Sequence, residues 1–256
     1  MTFHFITSAS NKKDYYEFIP IFTKQQRTIY PDCKITILYI QVKGENLPRE
    51  VTESNDIVIL GVPDGMNPSY VAQIMRLLYI SKLETNDICV LCDIDLVLFK
   101  RFPFDVDTTN DQITNYGKLN KQERQNYGQM AFCWTFMRPA SCRRWLIEHD
   151  EGGSPALGVN VSKFLKDNYK PNNSGWGYNW TADQELLYSA FNQHTKYIER
   201  NTCDRIDRET PYMVHLKDRL YYYVDYHMPR PYSQYANLIY DWLERKNRLN
   251  EDSLTY

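Results

Sequence analysis

Residues 87–99 read Asp-Ile-Cys-Val-Leu-Cys-Asp-Ile-Asp-Leu-Val-Leu-Phe, an apolar run that leads to two aspartates one residue apart and then to a second apolar run. The first run, from Ile88 to Cys92, is short and partly β-branched, which predicts a strand buried on both faces of a parallel sheet. Ligands of open α/β sheets bind at the carboxyl ends of such strands. On an extended chain Asp93 and Asp95 would point to the same side, so they could share one divalent cation.

A second pair with the same spacing serves as an internal control. Asp105-Val106-Asp107 lies in a stretch with proline and threonine, and no apolar strand precedes it. We interpret this second pair as a solvated loop. The strand context, more than the spacing, therefore distinguishes Asp93 and Asp95 from a strand that simply ends in polar residues.

Length and composition indicate an ordinary globular protein. The chain has 256 residues, of which 43% are hydrophobic and 24% charged, so it can bury one substantial core. Thirty Lys and Arg against thirty-two Asp and Glu give a net charge of −2 without a basic stripe, which argues against a nucleic-acid binder. The sequence shows neither a transmembrane segment nor a signal peptide, and we expect a cytoplasmic protein.

The cysteines argue against a disulfide scaffold, because six in a chain of this length are sparse. Cys89 and Cys92 have the Cys-x-x-Cys spacing. On a strand, however, residues three apart point to opposite faces, so the two thiols could not grip one zinc ion without a turn. We therefore expect buried free thiols.

Strands and helices alternate over the first hundred residues. The patterns predict strands at 3–7, 34–40, 57–62 and 88–92, and helices at about 14–29 and 69–83. Such alternation predicts a parallel sheet built from βα units. The chain contains no glycine-rich phosphate loop, so a bound phosphate would need cations.

The second half is less regular. Its patterns predict a strand at 129–137, helices at 140–149, 183–191 and about 233–248, and a long polar loop at 168–179. We find no internal repeat or linker, and we expect one domain.

Five short segments in chain order resemble glycosyltransferases of the GT-A fold, most closely the glycogenin and bacterial lipopolysaccharide galactosyltransferase type. They are the end of the first strand at Thr7-Ser8, the helical Gln73-Ile74-Met75-Arg76-Leu77-Leu78, Cys92-Asp93-Ile94-Asp95, Ala182-Asp183-Gln184, and Val214-His215-Leu216-Lys217. Each segment alone is weak evidence. Together they span residues 3 to about 218 in the order and approximate separation of the family.

The resemblance implies a Rossmann-like α/β fold for nucleotide sugars, with a mixed, mainly parallel central sheet flanked by helices. It implies a single domain over 1–256, with a nucleotide-binding half at about 1–100 and an acceptor-binding half with a C-terminal helix at about 101–256. The implied activity transfers a hexose or pentose from a nucleotide-diphosphate donor, expected to be a UDP-sugar, to a glycan or other hydroxyl acceptor. The implied cofactor is Mn²⁺ or Mg²⁺, held by the Asp-x-Asp motif.

The resemblance also assigns roles around the phosphates. Asp93, Asp95 and His215 would bind the metal, although His215 could equally be an ordinary half-buried histidine. Lys217 would pair with the diphosphate. Arg76 would contact the diphosphate or secure the metal-binding aspartate; the alternative is a surface arginine with its stem along the helix.

Further roles follow for the nucleotide and the sugars. The nucleotide would contact Thr7, Ser8, Ala9 and Ile94, in addition to the residues around the phosphates. Asp183 and Gln184 would lie beside the transferred sugar as catalytic residues; alternatively, Asp183 is only a carboxylate at a helix N-terminus. Trp176 and Trp180 would stack on a sugar ring, or else belong to the core.

The sequence departs from the family in two places. No Gly-x-x-Lys-Pro-Trp follows His215, and Phe132-Cys133-Trp134-Thr135 stands where glycogenin-like enzymes have Asn-Ser-Gly. The donor sugar therefore cannot be carried over. Two rival functions also remain: a haloacid-dehalogenase-type phosphatase with Asp93 as nucleophile and Asp95 as general acid, and a binding module without turnover.

Overall fold

The computed structural model describes residues 2–106, 112–117, 121–146, 161–168, 181–198, 205–208 and 223–253. The strands in these ranges are β1 (Phe3–Ser10), β2 (Lys34–Gln41), β3 (Ile57–Gly61), β4 (Ile88–Leu91), β5 (Leu96–Leu98), β6 (Ile113–Asn115), β7 (Thr135–Met137), β8 (Thr195–Tyr197), β9 (Arg205–Asp207) and β10 (Asp225–His227). The helices are α1 (Lys13–Tyr16), α2 (Ile19–Ile29), α3 (Arg49–Thr52), α4 (Pro68–Ser81), α5 (Lys121–Tyr127), α6 (Pro139–Leu146), α7 (Val161–Asn168), α8 (Ala182–Phe191) and α9 (Tyr232–Ser253).

Seven strands form the central sheet, in the order β3-β2-β1-β4-β7-β6-β8. Strands β3, β2, β1 and β4 run parallel to one another, and β7 is antiparallel to both of its neighbours. A small second sheet has the order β5-β10-β9. The expected mixed, mainly parallel α/β fold is therefore confirmed.

The apolar runs explain why the sheet is covered on both faces. Successive residues of β1 face opposite sides, and each side has its own core. Phe5 packs in one core with Phe22 of α2, while Ile6 packs in the other with Leu77 of α4. All four residues of β4 are buried, as the opening sequence pattern predicts.

Two local predictions need correction, and a polar helix was missed. The single helix expected at 14–29 is two helices, and Pro20 lies in the first turn of the second, where its missing N–H is tolerated. The strand expected at 129–137 is wrong before Thr135, because Trp134 has a φ of 58°, which an extended strand cannot accommodate. The polar helix α5 was not predicted, since it has no apolar stripe.

Other expectations hold in the described part of the chain. Cys89, Cys92 and Cys142 are buried free thiols. Asp105 of the control pair is exposed, whereas Asp107 lies outside the described residues. Within those residues, no helix combines the length and the apolar character that a membrane crossing requires.

Candidate functional site

A cleft of about 440 Å³ opens where β1 and β4 end. One wall is the face of α4 that carries Arg76, another is the first turn of α8, and β9 and β10 close the third side. This is the edge at which open α/β sheets bind ligands.

Asp93 and Asp95 line this cleft from a tight turn between β4 and β5. The backbone N–H of Leu96 donates to the carbonyl of Asp93 at 3.2 Å, so the segment is not the extended chain that the sequence argument assumed. Ile94, between them, is buried in the core and also lines the cleft. The two aspartates reach the same cleft through this turn.

Asp95 is fully buried, and its two carboxylate oxygens differ in surroundings. Its Oδ2 accepts from Arg230 at 2.6 and 2.9 Å, and lies 3.1 Å from Nε2 of His227. Its Oδ1 is buried without a hydrogen-bond partner among the described residues. Burial raises the pKa of Asp95, but His227 and Arg230 outweigh it and hold the pKa well below the ordinary range. The site thus contains an ionised carboxylate with one oxygen available.

His227, on β10, is oriented by a second carboxylate. Its Nδ1 lies 2.7 Å from Oδ1 of Asp207, which leaves Nε2 directed at Asp95. Burial lowers the pKa of His227, whereas the hydrogen bonds to Asp207 and Asp95 raise it, and the net shift is upward. An imidazole that is held at one nitrogen by a carboxylate presents the other in the manner of many metal-binding histidines.

Arg76 lines the cleft as a buried cation. Its guanidinium donates to Oδ1 of Asp93 at 2.7 Å, to the carbonyl of Cys92 at 2.8 Å and to Oδ2 of Asp183 at 2.8 Å. It also stacks 3.8 Å from the ring centroid of Phe132. Of the two alternatives that the resemblance offered, the geometry matches an arginine that secures the aspartate.

Asp183 and Gln184 begin α8 beside Arg76, and both line the cleft. Oδ1 of Asp183 accepts from the backbone N–H of Gln184 at 2.8 Å. Burial raises the pKa of Asp183 to about 6, although the charge of Arg76 opposes the shift. This carboxylate can change its protonation state near neutral pH.

The predicted nucleotide residues on β1 divide between two faces. Ser8 lines the cleft and donates its hydroxyl to the carbonyl of Ala72 at 2.7 Å. Ser10 lines the cleft too, as the alternation along a strand requires. Thr7 and Ala9 are buried on the opposite face, so only their backbone atoms are placed to serve a nucleotide.

Four predicted residues, Trp176, Trp180, His215 and Lys217, lie outside the described residues, and their roles stay predictions. Near Asp95 the structure instead brings together His227, Arg208 and Arg230, which the sequence analysis missed. For Arg230 the sequence does contain a signal. Arg230-Pro231-Tyr232 has the basic, proline and aromatic order of the Lys-Pro-Trp element that was sought only after His215.

The side chains around Asp95 are of the types that bind a hard divalent cation, but their present arrangement is not a ready metal site. Across the ranges that the structure describes, no group of three or more His, Cys, Asp or Glu forms a ready metal site. The 3.1 Å between His227 Nε2 and Asp95 Oδ2 nevertheless matches the roughly 3 Å between adjacent ligands that each lie about 2.1 Å from one ion. Together with Oδ1 of Asp95, which has no partner among the described residues, these atoms would fit a cation if the arginines beside them moved.

No known family and no curated protein matched the sequence. Solved structures did match. GlyE of Streptococcus pneumoniae TIGR4, a glycosyltransferase, is 12% identical with a TM-score of 0.50, over 99% of this chain and 64% of GlyE. The galactosyltransferase LgtC, solved with donor and acceptor sugar analogues, is 13% identical with a TM-score of 0.48, over 90% of this chain and 88% of LgtC.

A third match is a glycosyltransferase involved in glycosylating the major capsid of PBCV-1, at 9% identity and a TM-score of 0.44, over 98% of this chain and all of that one. At such identities the likeness shows the fold alone, and we base the fold assignment on the match to GlyE. The strand order, the mixed sheet and this match agree. The chain has the α/β fold of GT-A glycosyltransferases.

Proposed function

We propose that this protein is a glycosyltransferase that binds a nucleoside-diphosphate sugar in the cleft and transfers the sugar to a hydroxyl group of a glycan or related acceptor. One observation carries the proposal: the turn after β4 presents the buried, ionised Asp95 at the ligand-binding edge of a GT-A sheet, with one oxygen that has no hydrogen-bond partner among the described residues. Such an oxygen is costly to bury unless a cation or donor group occupies it in the working protein.

The proposed donor is a UDP-sugar, and the proposed cofactor is Mn²⁺ or Mg²⁺. Asp95, Asp93 and His227 would hold the ion. His215, the histidine predicted from the sequence, is the alternative to His227. When bound, the cation would neutralise charge that develops on the diphosphate leaving group. Carboxylate and imidazole donors together suit manganese better than calcium.

The surrounding residues would organise the substrates. Arg76 holds Asp93 in place and keeps its pKa below the ordinary value despite burial. Asp183 and Gln184 would bind hydroxyls of the transferred sugar at the start of α8. In this proposal residues 1–100 supply most of the nucleotide site, and residues 101–256 supply the acceptor site, with Trp176 and Trp180 against a sugar ring and Lys217 on the diphosphate.

The phosphatase alternative fits the site poorly. A general acid must carry a proton at working pH, but the pKa of Asp95 is held well below the ordinary carboxyl range. The proposed nucleophile Asp93 has one oxygen on Arg76, and the other lies 3.3 Å from the thiol of Cys133. The solved structures reported above are glycosyltransferases.

The test is calorimetric titration of UDP with Mn²⁺, repeated with EDTA and with two variants. Asp95→Asn should weaken UDP binding about a hundredfold, because it would remove a charged ligand of the proposed cation. Asp105→Asn is the matched control: Asp105 is exposed, comes from the second Asp-x-Asp pair, and its substitution should leave UDP binding unchanged. UDP affinity unchanged by EDTA and by Asp95→Asn would refute the metal-dependent donor site. A panel of nucleotide sugars, scored for slow donor hydrolysis, separates an enzyme from a binding module.

A further inference from the structure

Arg208 differs from the other arginines that line the cleft. Three of them hold short ion pairs: Arg76 with Asp93 at 2.7 Å, Arg205 with Asp225 at 2.9 Å, and Arg230 with Asp95 at 2.6 Å. For Arg208, the one carboxylate within 4 Å among the described residues is that of Asp95, at 3.8 Å. Its guanidinium nitrogens lie closer to His227 Nε2, at 3.1 and 3.2 Å. Among the described arginines that line the cleft, Arg208 therefore has the most distant carboxylate partner.

The backbone places this side chain at some cost. Arg208 has a φ of 52°, in the left-handed region that residues with a Cβ adopt at a penalty. A 2.7 Å hydrogen bond from its backbone N–H to the carbonyl of His227 maintains this conformation. The side chain is 43% exposed, against 12% for Arg205 and 19% for Arg230, so its guanidinium can leave His227 without leaving the cleft.

Arg208 covers the atom that the proposed cation needs. Nε2 of His227 has one position for a proton or lone pair, so it cannot donate to Asp95 and accept from Arg208 at the same time. A metal would use the same lone pair, and a guanidinium within about 4 Å would repel it. Cation binding therefore requires Arg208 to move.

We propose that Arg208 binds the nucleotide-sugar donor. Its guanidinium covers His227 in the ligand-free protein and moves to the diphosphate when cation and nucleotide enter. The inference rests on the proposed function. Its consequence is coupling: the cation alone binds weakly because it must displace Arg208, whereas the diphosphate gives the displaced guanidinium an anionic partner.

Two substitutions separate the side chain from the strained backbone. Arg208→Ala removes the guanidinium and keeps a Cβ, and Arg208→Gly removes both the guanidinium and the penalty at positive φ. Arg49→Ala is the control, because Arg49 is an exposed arginine on α3 and does not line the cleft. Each protein is titrated with Mn²⁺ alone, and with UDP at saturating Mn²⁺.

Both Arg208 variants should bind Mn²⁺ alone severalfold more tightly than the parent, and UDP about tenfold to a hundredfold more weakly, the range expected for a lost charged hydrogen bond. Arg49→Ala should match the parent in both titrations. A parent that binds UDP with Mn²⁺ while both Arg208 variants retain its affinities overturns the inference and leaves the proposed function standing. If Arg208→Ala changes the affinities and Arg208→Gly does not, the effect comes from the backbone and not from the guanidinium, and the inference is also overturned. If the parent binds neither UDP nor Mn²⁺, the inference and the proposed function fail together.

Discussion

Two buried aspartates of one cleft have opposite pKa shifts, which shows how local the electrostatics are. Burial raises the pKa of Asp95, but the contacts with His227 and Arg230 outweigh this effect and lower it. Asp183 shares Arg76 with Asp93, so burial dominates and raises the pKa to about 6. Similar burial is thus compatible with a lowered pKa at one carboxylate and a raised pKa at the other.

The raised pKa of Asp183 has a consequence for stability. Between pH 4 and 6 the folded protein keeps a proton on Asp183 that the unfolded chain has lost, so this residue makes stability fall as pH rises through that window. Asp183→Asn removes the titration and should gain up to about 3 kcal/mol relative to the parent between pH 4 and 7. The measurement is the free energy of urea unfolding of both proteins at the two pH values.

The comparison is a difference between two proteins, so contributions that both proteins share, such as the lowered pKa of Asp87, cancel from it. An identical dependence of the two proteins on pH would show that Asp183 does not titrate in this range. Glu53→Gln is a control, since Glu53 is exposed and forms a pair with Arg49 on the surface; it should leave the pH dependence as it is.

The residues that sequence reasoning could place are those whose neighbours in the chain determine their position. Asp93 and Asp95 follow an apolar run, and Arg76 stands on a helix with a strong apolar pattern. His227 could not be placed in this way, because it meets Asp95 from 132 positions away through the pairing of β10 with β5. That contact depends on three-residue strands, which carry no usable periodicity.

At the scale of elements, α9 depends on a carboxylate from the other end of the chain. Glu17 is buried and accepts hydrogen bonds from the backbone N–H groups of Tyr232 and Ser233, at 2.5 and 3.2 Å. Free N–H groups in the first turn of a helix favour a negative charge, and here no residue just before the helix supplies it. A terminal helix predicted from its own sequence is thus fastened by a contact that the sequence does not indicate.

Removing this contact should destabilise the protein measurably. Glu17→Ala should lower the free energy of unfolding by about 2 kcal/mol, and Glu17→Gln, which keeps an acceptor oxygen but no charge, by about 1 kcal/mol. Chemical unfolding monitored by circular dichroism measures both. Glu244→Ala, a control within α9 at an exposed position, should change it by less than about 0.5 kcal/mol. If Glu17→Ala and Glu244→Ala changed the free energy of unfolding equally, the proposed role of Glu17 at the start of α9 would be contradicted.

Elements with long apolar patterns were predicted well, and short ones were not. Strands β1, β2 and β4 and helix α4 are buried against each other, so their sequences must be apolar in a regular way. Strands β5, β9 and β10 have three residues each and lie in a sheet of their own. Their pairing is decided by where the larger elements bring them.

At the scale of the whole molecule, Arg76 joins regions that are distant in sequence. From α4 it reaches the turn after β4 through Asp93 and the start of α8 through Asp183, 107 positions further along the chain. The proposed metal site and the proposed sugar site therefore share one buried cation. A change at Arg76 should alter the global stability as well as the cleft.

The bridge that Arg76 forms between Asp93 and Asp183 should contribute to the stability of the whole molecule. Arg76→Met keeps an unbranched stem but strips Asp93 and Asp183 of their cation, and breaking a buried pair in this way costs about 3–5 kcal/mol. Asp183→Asn in the same background removes one of the two stranded charges. Asp183→Asn should therefore stabilise Arg76→Met more than it stabilises the parent at the same pH. We expect the difference between these two effects to be about 1 kcal/mol or more. Urea unfolding of the parent, the two single variants and the double variant at pH 7 gives the coupling energy. A coupling near zero would mean that Asp183 does not depend on Arg76, and that the two halves of the cleft are held in register by packing instead.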